Sequence, residues 1–207
     1  MIVTLGSSYY PSVNPPSIDA ATNWLLAIAT VPLIVASIIL HELAHIRIAQ
    51  AHDLPVDGIT IFLFGGVAHY KADPVTPQAE ALIAAAGPLM SLLIGIGCWA
   101  LDWGTSSDAS GATLLLLMMV NIGMATFNLL PCYPMDGGRL LYALLWASYK
   151  NREKAIRHAV FLSSAISAAM VTLGLWTWWQ LDNMSGIWMA ALGMFLYQVA
   201  QHRLVIQ

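Results

Sequence analysis

The sequence predicts an all-α polytopic membrane protein with about five transmembrane helices and a small membrane-embedded β-hairpin. Only 9% of the 207 residues are charged and 58% are hydrophobic, whereas soluble domains carry about 25% charged residues. Several uncharged stretches are long enough to cross a bilayer, and one short segment between them has the composition of paired strands. We expect one membrane-embedded domain over residues 21–207, preceded by an extended lead over residues 1–20, where prolines interrupt the apolar pattern.

The predicted spans follow from the thickness of the bilayer. A hydrocarbon core of about 30 Å requires about 20 mostly apolar helical residues. Four uncharged stretches meet that length, and a fifth gains reach if its helix continues through His202 and Arg203. The five stretches are residues 21–40, 81–101, 112–130, 159–181 and 187–201. The run 140–146 is too short to cross alone, so we expect it to continue the preceding span after a break at residues 131–138.

Residues 57–70 differ from the spans, because they are too few to cross and are rich in β-prone side chains. Residues 59–62 suit a strand, and Gly65-Gly66 suits a tight hairpin turn. At membrane depth such a backbone is tolerated only where protein or a wet cavity satisfies its polar groups. We therefore predict a hairpin that dips into the membrane domain.

The basic residues predict an orientation. Lys150, Arg152, Lys154 and Arg157 crowd one connection, whereas the connections 102–111 and 182–186 contain neither Lys nor Arg. Cytoplasmic loops carry the excess of Lys and Arg, so we expect a multi-pass protein of the cell membrane with its N-terminus outside and its C-terminus in the cytoplasm. The sequence shows no basic stripe with interleaved aromatics, so nucleic acid is not an expected partner. The lipid bilayer is an expected partner, and a homo-oligomer is left open.

The sharpest chemical signal is the segment His41-Glu42-Leu43-Ala44-His45. Residues four apart share one face of a helix, so both imidazoles can reach one metal ion. Glu42 stands beside them and can take a proton from a metal-bound water. Ionisable side chains inside a transmembrane helix are costly without partners and indicate a functional site. We therefore expect one Zn²⁺ per chain rather than a metal-free polar cluster.

A catalytic zinc ion usually has three protein ligands and one open position. Asp136 is the preferred third ligand, because prolines break the helix before it and Gly137-Gly138 allow the backbone to turn after it. The other candidates for the third ligand are weaker. Asp102 and His158 lie at predicted membrane ends, and Glu80 suits a helix N-terminus. The sequence does not exclude His69 as a ligand.

Taken together, the motifs resemble those of the site-2 proteases, the intramembrane zinc metalloproteases of peptidase family M50. The matching segments are HELAH, ITIFLFGGVA, EALIAAAGPLMS and NLLPCYPMDGGR, and they fall between residues 24 and 157. The chain looks most like the compact branch that often carries CBS domains after the membrane core, but we expect no CBS domain after Arg157 and no PDZ domain. Family members usually have a span before the HExxH helix, and residues 1–20 are not expected to supply one.

The resemblance implies roles for individual positions. His41, His45 and Asp136 bind zinc, Glu42 is the general base, and Asn128 holds the substrate or the developing oxyanion. Gly65 and Gly66 lie in a segment similar to the family's membrane-embedded sheet, whose edge pairs with an unwound substrate. The implied substrate is a single-pass transmembrane protein or a membrane-associated peptide, cleaved at a site toward the cytoplasmic side.

Two other functions compete with this interpretation. A metal-binding or metal-transporting membrane protein also uses broken helices and intramembrane His and Asp residues, but it leaves Glu42 without a role. A proteolytically inactive member of the family is the second alternative. The intact residues His41, Glu42, His45 and Asp136 argue against it.

Overall fold

The computed structural model describes residues 1–15, 17–54, 56–62, 65–70, 74, 76–104, 108–181 and 183–205. The regular secondary structure of these residues is helical apart from one pair of strands. The elements in chain order are α1 (Ile2–Thr4), a π-helical segment (Leu5–Tyr9), α2 (Tyr10–Val13), α3 (Ala20–Ala51), β1 (Val56–Phe62), β2 (Gly65–Tyr70), α4 (Pro77–Gly104), α5 (Asp108–Asn128), α6 (Asp136–Tyr149), α7 (Arg152–Leu181) and α8 (Ser185–Val205). The chain forms two compact units. The first comprises Met1–Lys71 and Ala86–Thr126, and the second comprises Ala72–Ala85 and Phe127–Gln207.

The N-terminal segment of the first unit, residues 2–13, is helical, so the prediction of an extended lead is wrong. Tyr10 is fully buried, and its hydroxyl hydrogen-bonds to Thr30 on α3 and, at 2.9 Å, to Thr113 on α5. Gly6 lies against the indole of Trp24, so closely that a Cβ there would be 2.6 Å from a ring carbon. These distant partners stabilise a helix that the local sequence, with its prolines, does not predict.

Helix α3 carries both the first predicted span and the HELAH segment without interruption. Asp19 caps its N-terminus by accepting a 2.9 Å hydrogen bond from the Thr22 amide, and the hydrogen bonds with Thr22 hold the pKa of Asp19 below its usual value. Its 32 residues extend over about 48 Å, which is more than a hydrocarbon core requires. The motif therefore lies within the same continuous helix as the first predicted span.

Strands β1 and β2 pair antiparallel in the first unit, with Phe62 opposite Gly65 and Ile61 opposite Gly66. The prediction that Gly65-Gly66 forms the turn is wrong, because both glycines are already paired residues of β2. Residues 63 and 64, which connect the strands, lie outside the described residues. The placement of these strands at membrane depth stays a prediction.

Four of the described helices are long and apolar enough to cross a membrane: Ala20–Ala51, Pro77–Trp103, Ser110–Asn128 and Arg152–Leu181. They contain the first, second and fourth predicted spans, and the third except for residues 129 and 130. Their exposed surface is apolar, with residues such as Leu93, Phe161 and Trp179 strongly exposed. The predicted count of five differs because α8 is not sufficiently apolar. Its C-terminal half contains Gln198, Gln201, His202 and Arg203.

The second unit is built on α6, α7 and α8. Helices α7 and α8 approach each other at glycines: a Cβ on Gly174 would lie 2.6 Å from the backbone nitrogen of Ala190. A buried cluster that includes Tyr142, Ile156 and Val160 joins α6 to α7. The predicted break before α6 is present, but it covers residues 129–135, and Gly137 and Gly138 already belong to the helix.

Candidate metal centre

The two histidines of the HELAH segment lie one helical turn apart on α3, and both are buried, at 3% and 4% exposure. Their ring planes are nearly perpendicular, with centroids 5.0 Å apart. The Nε2 atoms of His41 and His45 face each other at 3.3 Å. Two ligands at about 2.0–2.1 Å from a tetrahedral zinc ion have donor atoms about 3.3–3.4 Å apart. The histidine pair therefore has the spacing that zinc requires.

A serine on α4 contacts the far side of the first histidine. Ser91 Oγ lies 2.8 Å from His41 Nδ1, and both residues are buried. A neutral imidazole carries one ring proton. With that proton on Nδ1 and donated to Ser91, the Nε2 lone pair is directed toward His45.

A glycine on α4 forms the wall next to the two nitrogens. A Cβ on Gly87 would lie 2.1 Å from His45 Nε2 and 2.5 Å from His41 Nε2. Any larger residue would fill the space between the imidazoles. Gly87 thus keeps open the volume on which both ring nitrogens converge.

Asp136 is the first residue of α6 in the second unit, and it is partly buried. The two glycines after it permit close backbone packing rather than the turn that the sequence predicts. A Cβ on Gly137 would lie 2.2 Å from the Leu129 carbonyl oxygen, and one on Gly138 would lie 2.6 Å from the Tyr133 nitrogen. The residues of the break therefore pack directly onto the first turn that holds Asp136.

His41, His45 and Asp136 each offer one ligand atom, and these atoms lie within 4.8 Å of one another. Two imidazoles and a carboxylate are the donor set of several catalytic zinc sites. The three residues therefore fit the predicted zinc ion, and their individual roles as ligands stay a prediction.

The other candidates for third ligand have different surroundings. Glu80 accepts a 2.9 Å hydrogen bond from Arg139 Nε in an ion pair whose side chains are 7% and 22% exposed. His158 is exposed and its Nδ1 lies 2.8 Å from the Lys154 carbonyl oxygen. Asp102 lies near Gly111 at the end of α4, and the side chain of His69 is outside the described part of the chain.

The predicted roles of four other residues stay predictions: Glu42, Asn128, Gly65 and Gly66. Glu42 is 7% exposed and directly follows the first histidine on α3. Asn128 is the last residue of α5 and is partly buried. Gly65 and Gly66 lie in β2.

Comparison with known families decides the class of the protein. The model of peptidase family M50 matches residues 29–107 and 102–172, which together cover more than half of the chain. The chain belongs to peptidase family M50. The four apolar helices and this membership identify a multi-pass membrane protein.

Similar proteins of known name support the same assignment to the M50 family. The protein sll0528 of Synechocystis sp. is 32% identical over 186 residues, which cover 89% of this chain and 49% of the relative. Zinc metalloprotease MJ0392 of Methanocaldococcus jannaschii is 33% identical over 144 residues, covering 69% and 42%. The chain thus spans about half the length of the curated relatives that it matches.

A solved structure extends the likeness to the fold. The site-2 protease from Methanocaldococcus jannaschii matches with a TM-score of 0.64 and 26% identity, over 98% of this chain and 86% of that one. The resemblance to site-2 proteases inferred from the motifs is therefore confirmed. For this M50 member, the zinc prediction agrees with both the ligand cluster and the named relatives.

Sequence reasoning missed two residues that touch the histidines. Gly87, Ser91 and Gly95 are spaced by four on α4, a pattern that predicts close helix packing in lipid. Gly95 packs against Ile122 as that pattern predicts, whereas Gly87 and Ser91 contact the imidazoles. The spacing indicates a shared face but does not reveal which helix that face meets.

Proposed function

We propose that this protein is an intramembrane zinc metalloprotease that hydrolyses peptide bonds within the transmembrane segment of a membrane-protein substrate. The observation that carries the proposal is the cluster of His41, His45 and Asp136 ligand atoms within 4.8 Å, with both histidines on a helix able to cross a bilayer. Buried ionisable groups of this kind are retained where a function needs them.

The residues of the chain divide the chemistry among them. A zinc ion held by His41, His45 and Asp136 would act as a Lewis acid on the scissile carbonyl and would lower the pKa of water at the site toward about 7. The Glu42 carboxylate accepts a proton from the attacking water and returns it to the leaving amine nitrogen. The Asn128 amide donates a hydrogen bond to the substrate carbonyl oxygen as negative charge develops there.

A transmembrane substrate must present an extended backbone, because a helix hides its carbonyl carbons. Strands β1 and β2 provide the type of edge to which an extended segment can add by backbone hydrogen bonds. Gly65 and Gly66 are the first two residues of β2, and glycine in a strand allows another backbone to approach closely. We assign substrate pairing to this edge, and we place the C-terminus and the active-site opening on the cytoplasmic side, from the basic connection around Lys150 to Arg157.

The test uses the full chain purified in detergent. Zinc content is measured, and cleavage of candidate transmembrane peptides is followed with and without a chelator. We expect one zinc per chain, chelator-sensitive cleavage, and a Glu42→Gln variant that keeps its zinc but loses cleavage by a factor of about 100 or more. Cleavage that persists in Glu42→Gln contradicts the role of general base. Zinc flux into vesicles without cleavage of any peptide favours the transport alternative.

A further inference from the structure

Ser91 differs from two other buried serines, Ser37 and Ser163, in the direction of its hydroxyl. Serine in a helix commonly donates to the carbonyl four residues earlier, and Ser37 and Ser163 do so, to Leu33 and Ala159. The hydrogen bond that the structure gives Ser91 goes instead to His41 Nδ1 at 2.8 Å. Ser91 has no exposed surface, so water does not compete for this contact.

The contact fits the tautomer of His41 that can bind zinc through Nε2. A neutral imidazole has two tautomers, and the hydrogen bond made by one ring nitrogen determines which nitrogen is left to bind a metal. With the ring proton on Nδ1 and donated to Ser91 Oγ, Nε2 keeps its lone pair. That Nε2 atom is the one that faces His45 Nε2 at 3.3 Å.

The contact also fixes the ring orientation. His41 is held at both ends, by its backbone on α3 and by a serine on α4. Rotation of the imidazole breaks the hydrogen bond between His41 and Ser91 and leaves a buried hydroxyl without that partner, which is costly. We propose that Ser91 is a positioning residue that holds the orientation of His41 for zinc and accepts its Nδ1 proton, an inference that rests on the proposed function.

Partners that orient a metal-binding histidine affect the affinity for the metal. Removal of such a partner typically weakens metal affinity about 10- to 100-fold. Ser91→Ala should therefore raise the zinc dissociation constant by about 10- to 100-fold. Ser37→Ala is the matched control, because Ser37 is similarly buried and accepts a 3.1 Å hydrogen bond from the Asn121 amide, not from a histidine.

The experiment measures zinc affinity by competition with a chromophoric chelator, on the full chain in detergent. Thermal unfolding of each zinc-free variant is measured in parallel. The isosteric pair Ser91→Thr and Ser91→Val completes the series, since both add the same bulk at position 91 and only threonine keeps a hydroxyl. The visible absorption of bound Co²⁺ reports the geometry of the site independently of affinity.

We expect Ser91→Ala and Ser91→Val to bind zinc more weakly than the wild type and to change the Co²⁺ spectrum. Ser37→Ala should match the wild type, and Ser91→Thr should bind at least about tenfold more tightly than Ser91→Val. Equal affinity of the Thr and Val variants overturns the inference, even if Ser91→Ala fails to fold. The inference is also overturned if the zinc affinities of Ser91→Ala and Ser37→Ala fall in proportion to the thermal stabilities of the zinc-free variants. That result indicates that Ser91 has only a structural role.

Failure of the proposed function gives a different result. If the wild-type protein itself binds no zinc, the metalloprotease proposal fails together with this inference. If the wild type binds zinc and Ser91→Ala binds it equally well, only the role of Ser91 is refuted.

Discussion

Replacing Gly87 with alanine should remove zinc binding while leaving the fold in place. The added methyl would lie 2.1 Å from His45 Nε2 and 2.5 Å from His41 Nε2, whereas non-bonded heavy atoms prefer about 3.5 Å or more. The His41 ring must therefore move away by about 1.0 Å and the His45 ring by about 1.4 Å. Metal–ligand distances tolerate only about 0.2 Å, so the two rings can no longer bind one ion together.

The size of the effect follows from the loss of two ligands at once. Removing a residue that orients a metal ligand lowers the metal affinity about 10- to 100-fold. Displacing two ligands should lower it further, so we expect zinc affinity to fall by at least about 100-fold. The fold should lose about 1–3 kcal/mol of unfolding free energy, the usual cost of overpacking a buried site.

The assay is zinc content after dialysis against a weak chelator, together with thermal unfolding of the zinc-free protein. Gly97→Ala is the matched control, because Gly97 lies on the same helix and a Cβ there would meet nothing within 4 Å. It should keep full zinc content and gain up to about 1 kcal/mol of helix stability. Wild-type zinc affinity in Gly87→Ala would refute the reasoning.

Two further predictions concern stability, measured as the free energy of unfolding in mixed micelles. Tyr10→Phe removes the hydroxyl that contacts Thr30 and Thr113, so we expect a loss of about 1–2 kcal/mol and earlier proteolysis of residues 2–13; unchanged stability and protease resistance would contradict the docking of that segment. Arg139→Ala leaves the Glu80 carboxylate, 7% exposed, without its cation and should cost about 3 kcal/mol. Arg157→Ala breaks the exposed ion pair with Glu153 and should cost less than about 1 kcal/mol. Equal losses of unfolding free energy in Arg139→Ala and Arg157→Ala would refute the argument that burial makes the Glu80 pair more important.

The ligand set could be predicted from the sequence because its signals are local. The spacing of His41 and His45 places both on one face of any helix, and the apolar run before them argues against an ordinary surface role. Asp136 stands out because prolines precede it and glycines follow it between two apolar runs. The structure corrects the function of those glycines, which allow close packing onto residues 129–133.

The remaining features depend on contacts between distant segments. Residues 2–13 form a helix because Tyr10 and Gly6 meet α3, and the local prolines conceal that tendency. The pairing of Gly65 and Gly66 with β1 depends on strand register, which composition does not determine. Ser91 and Gly87 belong to the metal centre only because α4 lies against α3 at that point, a fact that spacing on a single helix cannot supply.

The central claim is that one zinc ion is bound by His41, His45 and Asp136, and zinc X-ray absorption of the purified protein tests it most directly. The account predicts nitrogen and oxygen ligands at about 2.0–2.1 Å with the outer-shell pattern of two imidazoles, and loss of the carboxylate contribution in Asp136→Ala. Sulfur ligands at about 2.3 Å, from Cys98 or Cys132, or protein that purifies with no zinc and takes none up, would contradict it.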